Sequence, residues 1–231
     1  MLRAVAVDWS GARSGERRTI WLAEAAGGRL VRLECGRSRE EVVEHLLDEA
    51  ARDPDLVAGL DFAFSFPAWF LTANGIAEVG QAWDLVARGA EEWLRAPQAP
   101  FWRARKPPGQ EAFRRTELEC GGRPKSVFQL VGAGQVGTGS LRGMPFLARL
   151  RERFAMWPFD EPRLPLLVEI YRRLCLDGLG EREYPNEHAR DAAVSALAMS
   201  GWSGDWRRLP RAPEYSLEGR IWHPGPVLRP G

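Results

Sequence analysis

The sequence predicts an α/β protein with a mixed sheet, in which a three-stranded antiparallel hairpin unit is followed by parallel strands and flanked by helices. Three observations predict this class. A β-prone run over 3–7 ends at Asp8, two further β-prone runs precede an amphipathic helix, and an apolar run over 56–60 ends at Asp61. Strand, helix and strand in this order favour a right-handed crossover between parallel strands.

The first helix has the clearest boundaries. Ser38 is a typical N-cap, Glu41 completes a capping box, and Pro54 follows the last turn, so a helix is predicted over 39–52. The other expected elements are strands over 3–7, 18–23, 29–34, 56–60 and 164–171, helices over 76–94, 145–154 and 186–199, and a short edge strand at 220–222.

Composition limits the classes of protein to consider. We expect one domain over 1–231, with 67–157 as a helical and irregular insertion within it. The formal net charge of +1 excludes a strong overall attraction to nucleic acid or to anionic membranes, so a basic partner surface must be local. The three cysteines are widely spaced, which argues against a disulfide framework and a thiolate zinc site. No apolar run is long enough to span a bilayer, and we expect a cytoplasmic protein.

Acidic residues at strand ends indicate a candidate metal site. Asp8 and Asp61 are each the first polar residue after an apolar strand, where ligands bind in parallel sheets. Neighbouring carboxylates repel each other, and a divalent cation with oxygen ligands is the usual counter-charge. Asp191 and His188 share one face of the last helix, beside small residues that allow close packing. The alternative is that these residues only cap turns or a helix start.

Four segments together resemble a known family. They are Val7-Asp8-Trp9-Ser10-Gly11-Ala12, the block from Gly59 to Pro67, Val168-Glu169-Ile170-Tyr171, and the alanine-rich helix from His188 to Ala196. Their order and spacing are similar to those of a domain-of-unknown-function group described as predicted ribonuclease H-like nucleases. The closing helix also resembles that of Holliday-junction resolvases.

The resemblance implies a ribonuclease H-like fold and a carboxylate site for Mg²⁺ or Mn²⁺. With two ions roughly 3.5–4 Å apart, such a site would catalyse the hydrolysis of a phosphodiester by water. Asp8 would bridge the ions, and Asp61 and Asp191 would each bind one. Glu169 would complete the site or orient a neighbour, and His188 would be a ligand, a hydrogen-bond donor or a proton carrier.

A basic segment supplies candidate contacts to DNA or RNA. Residues 101–125 contain seven Lys or Arg and three Glu, a local charge of 7 − 3 = +4, with aromatic residues between them. The glycine-rich stretch over 132–140 is a candidate phosphate loop without a Walker motif. The alternatives are a solvated charged face and a flexible connection. The candidate substrate-binding residues are Ser10, Arg103, Arg105, Lys106, Lys125 and Gln129.

Three functions remain open from the sequence. The first is a metal-dependent nuclease, and the second is a nucleic-acid- or nucleotide-binding module of the same fold without catalysis. The third is a phosphotransferase or ATPase of actin-like architecture, for which 231 residues are too few to hold the expected second copy of the sheet.

Overall fold

The strands of the computed structural model form one mixed sheet. Residues 2–104, 106, 111–120, 125–132, 136–175 and 183–225 are described. The strands are β1 (Arg3–Asp8), β2 (Trp21–Ala26), β3 (Arg29–Cys35), β4 (Val57–Leu60), β5 (Ala155–Met156), β6 (Leu166–Ile170) and β7 (Ile221–Trp222). Their order is β3-β2-β1-β4-β6-β5, and β7 also pairs with β6. The first three strands are antiparallel, whereas β4 runs parallel to β1 and β6 runs parallel to β4. The predicted α/β class with a mixed sheet is confirmed.

Helices cover the sheet and fill the connections between strands. They are α1 (Arg39–Arg52), α2 (Ala68–Ala73), α3 (Val79–Arg95), α4 (Arg115–Glu119), α5 (Val136–Gly143), α6 (Leu147–Leu150) and α7 (Glu187–Gly201). The predicted start of α1 is confirmed, since Ser38 and Glu41 form both hydrogen bonds of a capping box. Within the described residues, no helix combines the length and apolar character needed to cross a membrane.

Successive side chains of each strand point to opposite faces of the sheet, so the core forms two layers, one on each face. Val5 and Val7 of β1 face the layer that contains α1, α3 and the aromatic residues of the 67–157 segment. Ala4 and Ala6 face the opposite layer, where the alanines of α7 pack. Close approach of α7 is required there, because a Cβ on Gly59 would lie 2.8 Å from Ile170 Cγ2 and Met199 Sδ.

Several element boundaries differ from the sequence prediction. The second strand begins at Trp21 rather than at residue 18, because Glu16–Arg18 form a 3₁₀ turn after Gly15, whose φ is 75°. The helix expected over 76–94 begins at Val79. The helix expected over 145–154 is reduced to α6, after a 3₁₀ turn that contains Pro145.

The segment 67–157 lies between β4 and β6 in the chain. It contains the helices α2 to α6 and the two-residue strand β5, which pairs with the beginning of β6. Its aromatic side chains form a continuous cluster in the α1 and α3 layer. Phe70 lies 5.3 Å from Phe128 between ring centroids, and Phe101 stacks on Trp93 at 4.9 Å. The segment therefore packs directly on one face of the sheet.

Candidate metal site at the carboxyl ends of the parallel strands

Two aspartates lie at the same edge of the sheet. Asp8 is the last residue of β1, and Asp61 follows β4 directly. The backbone N–H of Asp61 donates to the carbonyl oxygen of Val7 at 3.1 Å, so the parallel pairing continues up to these residues. Because Asp8 alternates with Val7, its side chain lies on the α7 face of the sheet, with Ala4 and Ala6.

Helix α7 brings Asp191 to the same edge. Asn186 caps the helix, with its side-chain oxygen accepting from the N–H of Ala189 at 2.9 Å. Asp191 then lies in the second turn and is buried, next to the buried Ala192 and Ala193. The small side chains on this face of α7 allow the helix backbone, and with it Asp191, to approach the sheet closely.

Asp8 is paired with a histidine of the same helix. His188 Nδ1 donates to Asp8 Oδ2 at 2.8 Å, and about half of the His188 side chain is exposed. Burial raises the pKa of Asp8 above its usual value, although the hydrogen bond from His188 acts in the opposite direction. The same hydrogen bond raises the pKa of His188. His188 is therefore positioned to carry a proton at the edge of the site.

Asp191 is paired with Arg172, which follows β6 in a 3₁₀ turn. Arg172 Nη1 lies 2.6 Å from Asp191 Oδ1 and 2.7 Å from Glu187 Oε1. Burial raises the pKa of Asp191 to about 6, against the effect of the Arg172 charge and together with the charges of Asp8 and Glu187. The carboxylates of Asp191 and Asp8 are thus close enough to repel each other.

Asp61 differs from Asp8 and Asp191 in its contacts. Within the described part of the chain, its carboxylate makes no hydrogen bond and no ion pair. Burial raises the pKa of Asp61 well above its usual value, and the charges of Asp8 and Asp191 raise it further. The charged form of Asp61 is therefore disfavoured by burial and by the two neighbouring carboxylates, and a bound cation would favour it.

Glu169 lies on the opposite face of the sheet from these aspartates. Its neighbours Val168 and Ile170 pack in the α7 layer, so alternation directs Glu169 away from α7. Arg114 donates to both carboxylate oxygens, at 2.8 and 2.5 Å, and the N–H of Phe64 donates to Oε2 at 3.0 Å. Glu169 thus fixes the loop that follows Asp61, rather than presenting a free carboxylate beside Asp8.

A narrow cavity of about 30 Å³ extends from Asp61. Lys125 and Tyr171 are among the residues that line it, together with Glu169 and Arg114. Burial raises the pKa of Tyr171, and the charge of Asp61 contributes to this rise. Of the candidate substrate-binding residues, Lys125 is the one that the structure brings to the same cavity as Asp61.

The loop after Asp8 is held by arginines. Arg39 donates to the carbonyl oxygens of Ser10 and Ala12, and Arg142 donates to that of Gly11. The Ser10 hydroxyl accepts from Thr19 Oγ1 at 2.7 Å and from the N–H of Ala12 at 3.2 Å. Ser10 is therefore a structural element of this loop.

Two open clefts lie beside this loop and share four lining residues, and the two together are called the groove. They have volumes of about 750 and 610 Å³. Both are lined by Arg13, Glu91, Glu92 and Arg142. The arginines along the groove are Arg13, Arg39, Arg88, Arg95, Arg103 and Arg142, and the carboxylates are Glu16, Glu40, Glu91 and Glu92. The groove has a mixed but net positive lining next to the Asp8 loop.

The predicted basic segment does not form one continuous surface. Arg114 is fully buried, and Arg103 donates to the carbonyl oxygens at the end of α3. Lys106 is exposed, with its Nζ 5.8 Å from the centroid of the Phe113 ring. The Gln129 amide donates to the carbonyl of Val131 at 3.0 Å. Arg105 lies outside the described residues, as do residues 133–135 of the glycine-rich stretch.

Gly11 is predicted to be sensitive to substitution. A Cβ at this position would lie 2.5 Å from Gly139 N and 2.6 Å from Thr138 C, both backbone atoms of α5. We expect Gly11→Ala to lower the free energy of unfolding by about 1–3 kcal/mol, because the loop or α5 must move.

Gly80→Ala is the control, since a Cβ on this helical glycine meets no atom within 4 Å. It is expected to stabilise by about 0.4–1 kcal/mol in denaturant unfolding. Equal effects of the two substitutions would contradict this interpretation of the Gly11 contact.

The described residues do not contain three or more His, Cys, Asp or Glu side chains in a ready-made arrangement for a metal ion. Two of the three aspartates are instead paired with side chains of the protein, Asp8 with His188 and Asp191 with Arg172. No family model, curated protein or solved structure matches this chain. Its own geometry is therefore the basis for interpreting the site.

Sequence reasoning missed Arg172 and the arginine-lined groove. One signal was available for Arg172, because it lies two residues beyond a parallel strand, at the edge where Asp8 and Asp61 lie. No comparable signal marks the groove, whose lining comes from five separate segments of the chain.

Proposed function

We propose that this chain is a divalent-metal-dependent phosphodiester hydrolase with a ribonuclease H-like architecture. Support for the architecture comes from the strand order β3-β2-β1-β4-β6, with three antiparallel strands followed by parallel ones and α1 crossing between β3 and β4. The observation that carries the function is the convergence of Asp8, Asp61 and Asp191 at one edge of the sheet, where the Asp61 carboxylate makes no hydrogen bond or ion pair with the described residues. Such an arrangement is costly without a cation, and it supplies the hard oxygen ligands that Mg²⁺ and Mn²⁺ prefer.

The residues present suit a divalent cation by their chemistry. Asp8, Asp61 and Asp191 would hold it, after the contacts of Asp8 with His188 and of Asp191 with Arg172 rearrange. A bound cation would supply charge to a phosphoryl oxygen and lower the pKa of a water molecule. Glu169 and Arg114 would keep the Asp61 loop in place through the N–H of Phe64.

The remaining polar groups have roles suited to a phosphodiester substrate. His188 can release or accept a proton at Nδ1 when its contact with Asp8 breaks. Lys125 places a positive charge in the Asp61 cavity. The groove beside the Asp8 loop offers Arg13 and Arg88, both exposed, to the phosphates of DNA or RNA.

The experiment is cleavage of labelled single-stranded, duplex, hybrid and branched nucleic acids with Mg²⁺ or Mn²⁺. We expect metal-dependent cleavage by the wild type and its loss in both Asp8→Asn and Asp191→Asn, because each substitution removes a charged ligand. Asp84→Asn is the matched control, since Asp84 is exposed on α3, and it should cleave like the wild type. Cleavage retained by the Asp8 and Asp191 variants would contradict the proposal. Metal-independent nucleic-acid binding without cleavage would favour the alternative of a binding module.

A further inference from the structure

Asp8, Asp61 and Asp191 together form the aspartate cluster, and Arg172 places its charge next to them. Its Nη1 is within hydrogen-bond distance of Asp191 Oδ1, at 2.6 Å, and of Glu187 Oε1, at 2.7 Å. Its charge also lowers the pKa of Asp8 and of Asp61, so its field reaches all three aspartates. Within the described residues, it is the only arginine or lysine that forms an ion pair with any of the three. Arg172 is therefore the main cation that compensates the cluster in this structure.

We propose that Arg172 is an internal counter-cation that competes with a divalent metal for Asp191, and that metal binding transfers it to Glu187. The inference rests on the proposed metal site. One carboxylate oxygen cannot serve a guanidinium and a metal equally, and two cations in one cluster repel each other. A metal bound to Asp191 would therefore displace Arg172 by charge repulsion, whichever carboxylate oxygen it uses.

Glu187 is suited to receive the arginine. It lies on α7 four residues before Asp191, one helical turn away, and it is already bonded to the same Nη1. The Glu187 side chain is 69% exposed, against 8% for Asp191, so the transfer moves the charge from the cluster towards solvent. Only one of two contacts breaks, and the guanidinium remains paired throughout.

Arg172 and His188 would release their aspartates in different ways when a metal ion binds. His188 can leave Asp8 by losing its proton, whereas Arg172 stays charged at every accessible pH. Release of Asp191 therefore requires movement of the Arg172 side chain. Its Nε and Nη2 groups make no hydrogen bond in the part of the chain that the structure describes. After transfer, these donors are available to a phosphate group, which guanidinium recognises through paired hydrogen bonds.

The test is the affinity for Mn²⁺ alone, measured without nucleic acid from the electron paramagnetic resonance signal of free Mn²⁺. The variants are Arg172→Gln and, as a matched control, Arg173→Gln, which removes the same charge from the same 3₁₀ turn. Arg173 is exposed and makes no ion pair with the described residues. We expect Arg172→Gln to bind Mn²⁺ about tenfold more tightly than the wild type, and Arg173→Gln to stay within about twofold.

The outcomes separate this inference from the proposed function. Mn²⁺ binding by the wild type with equal or weaker affinity in Arg172→Gln would overturn the competition and leave the metal site intact. Binding by none of the three proteins, each shown to be folded by circular dichroism, would overturn both. Binding by Arg172→Gln alone would support the competition in its strongest form.

A double-mutant cycle tests the receiving role of Glu187. Glu187→Gln should weaken Mn²⁺ binding in the wild-type background, because Arg172 then loses its second partner and remains on Asp191. The same substitution should have a much smaller effect in the Arg172→Gln background. An equal effect in both backgrounds would show that Glu187 acts through its own charge, and would overturn the transfer.

Discussion

Asp61→Asn is expected to abolish metal-dependent cleavage and, at the same time, to stabilise the metal-free protein. The cleavage rate should fall at least ~10³-fold, because the charge stabilisation supplied by a bound cation is worth several kcal/mol. The free energy of unfolding should rise by about 1–2 kcal/mol at neutral pH, since the substitution removes a half-buried carboxylate that makes no hydrogen bond with the described residues. Loss of activity with a gain of stability is not expected of a residue that only supports the fold.

The pH dependence of that gain follows from the raised pKa of Asp61. In the unfolded chain the carboxyl loses its proton near the usual value, whereas in the folded chain it keeps the proton to higher pH. Between these values the folded state binds more protons, so the stability of the wild type falls as the pH rises. Asparagine has no proton to lose, and the gain should therefore be larger at pH 8 than at pH 4. Urea unfolding at both values measures it, with Asp84→Asn as control. A destabilised Asp61→Asn protein would contradict the electrostatic interpretation of the site.

Arg114→Met is expected to have the largest effect on stability. Arg114 is fully buried and donates to Glu117 at 2.9 and 2.7 Å as well as to Glu169. Removing it leaves two buried carboxylates without their cation, which costs about 3–5 kcal/mol. The ion pairs of Arg114 need not stabilise the fold relative to apolar residues. The loss of stability on substitution arises because Glu117 and Glu169 are left buried without a cation.

Denaturant unfolding of Arg114→Met beside Arg115→Met provides the measurement. Arg115 is the exposed neighbour, and its backbone N–H bonds to Glu218 whichever side chain it carries. The Arg115 variant should change by less than about 0.5 kcal/mol. Adding Glu169→Gln to Arg114→Met should recover part of the loss, because one uncompensated charge is then removed. A loss below 1 kcal/mol in Arg114→Met would contradict the arrangement of this buried network.

Local patterns predicted the α/β class with its mixed sheet and the strand ends at which Asp8 and Asp61 lie, but they did not predict contacts between distant residues. The capping box at Ser38 and the strand ends at Asp8 and Asp61 are encoded by a few neighbouring residues, and the structure confirms these elements. Alternation along β6 also indicated correctly that Glu169 faces away from Val168 and Ile170. These properties depend on periodicity, which a single sequence contains.

The residues that the sequence did not reveal depend on partners far along the chain. Arg114 looked like part of a basic surface, and its burial depends on Glu169, 55 residues later. The position of Arg172 after a strand does not show its partner, which is Asp191, 19 residues later on α7. The two-residue strand β5 has no periodicity of its own, and it forms because β6 supplies its hydrogen-bond partners. In each case, contacts with residues distant in the sequence determine the local structure.

The alanine side chains between α7 and the sheet set the distance between the helix and the strands. Ala4 and Ala6 on the sheet face Ala189, Ala192 and Ala193 on the helix, and none of these side chains carries a polar group. Each added methyl group there would lift the helix, and Asp191 with it, away from Asp8. The Mg²⁺–oxygen distance of about 2.1 Å and the Ca²⁺–oxygen distance of about 2.3–2.6 Å differ by less than the width of a methyl group. On the proposed metal site, discrimination between ions of different radius would thus be set by hydrophobic residues that never touch the ion.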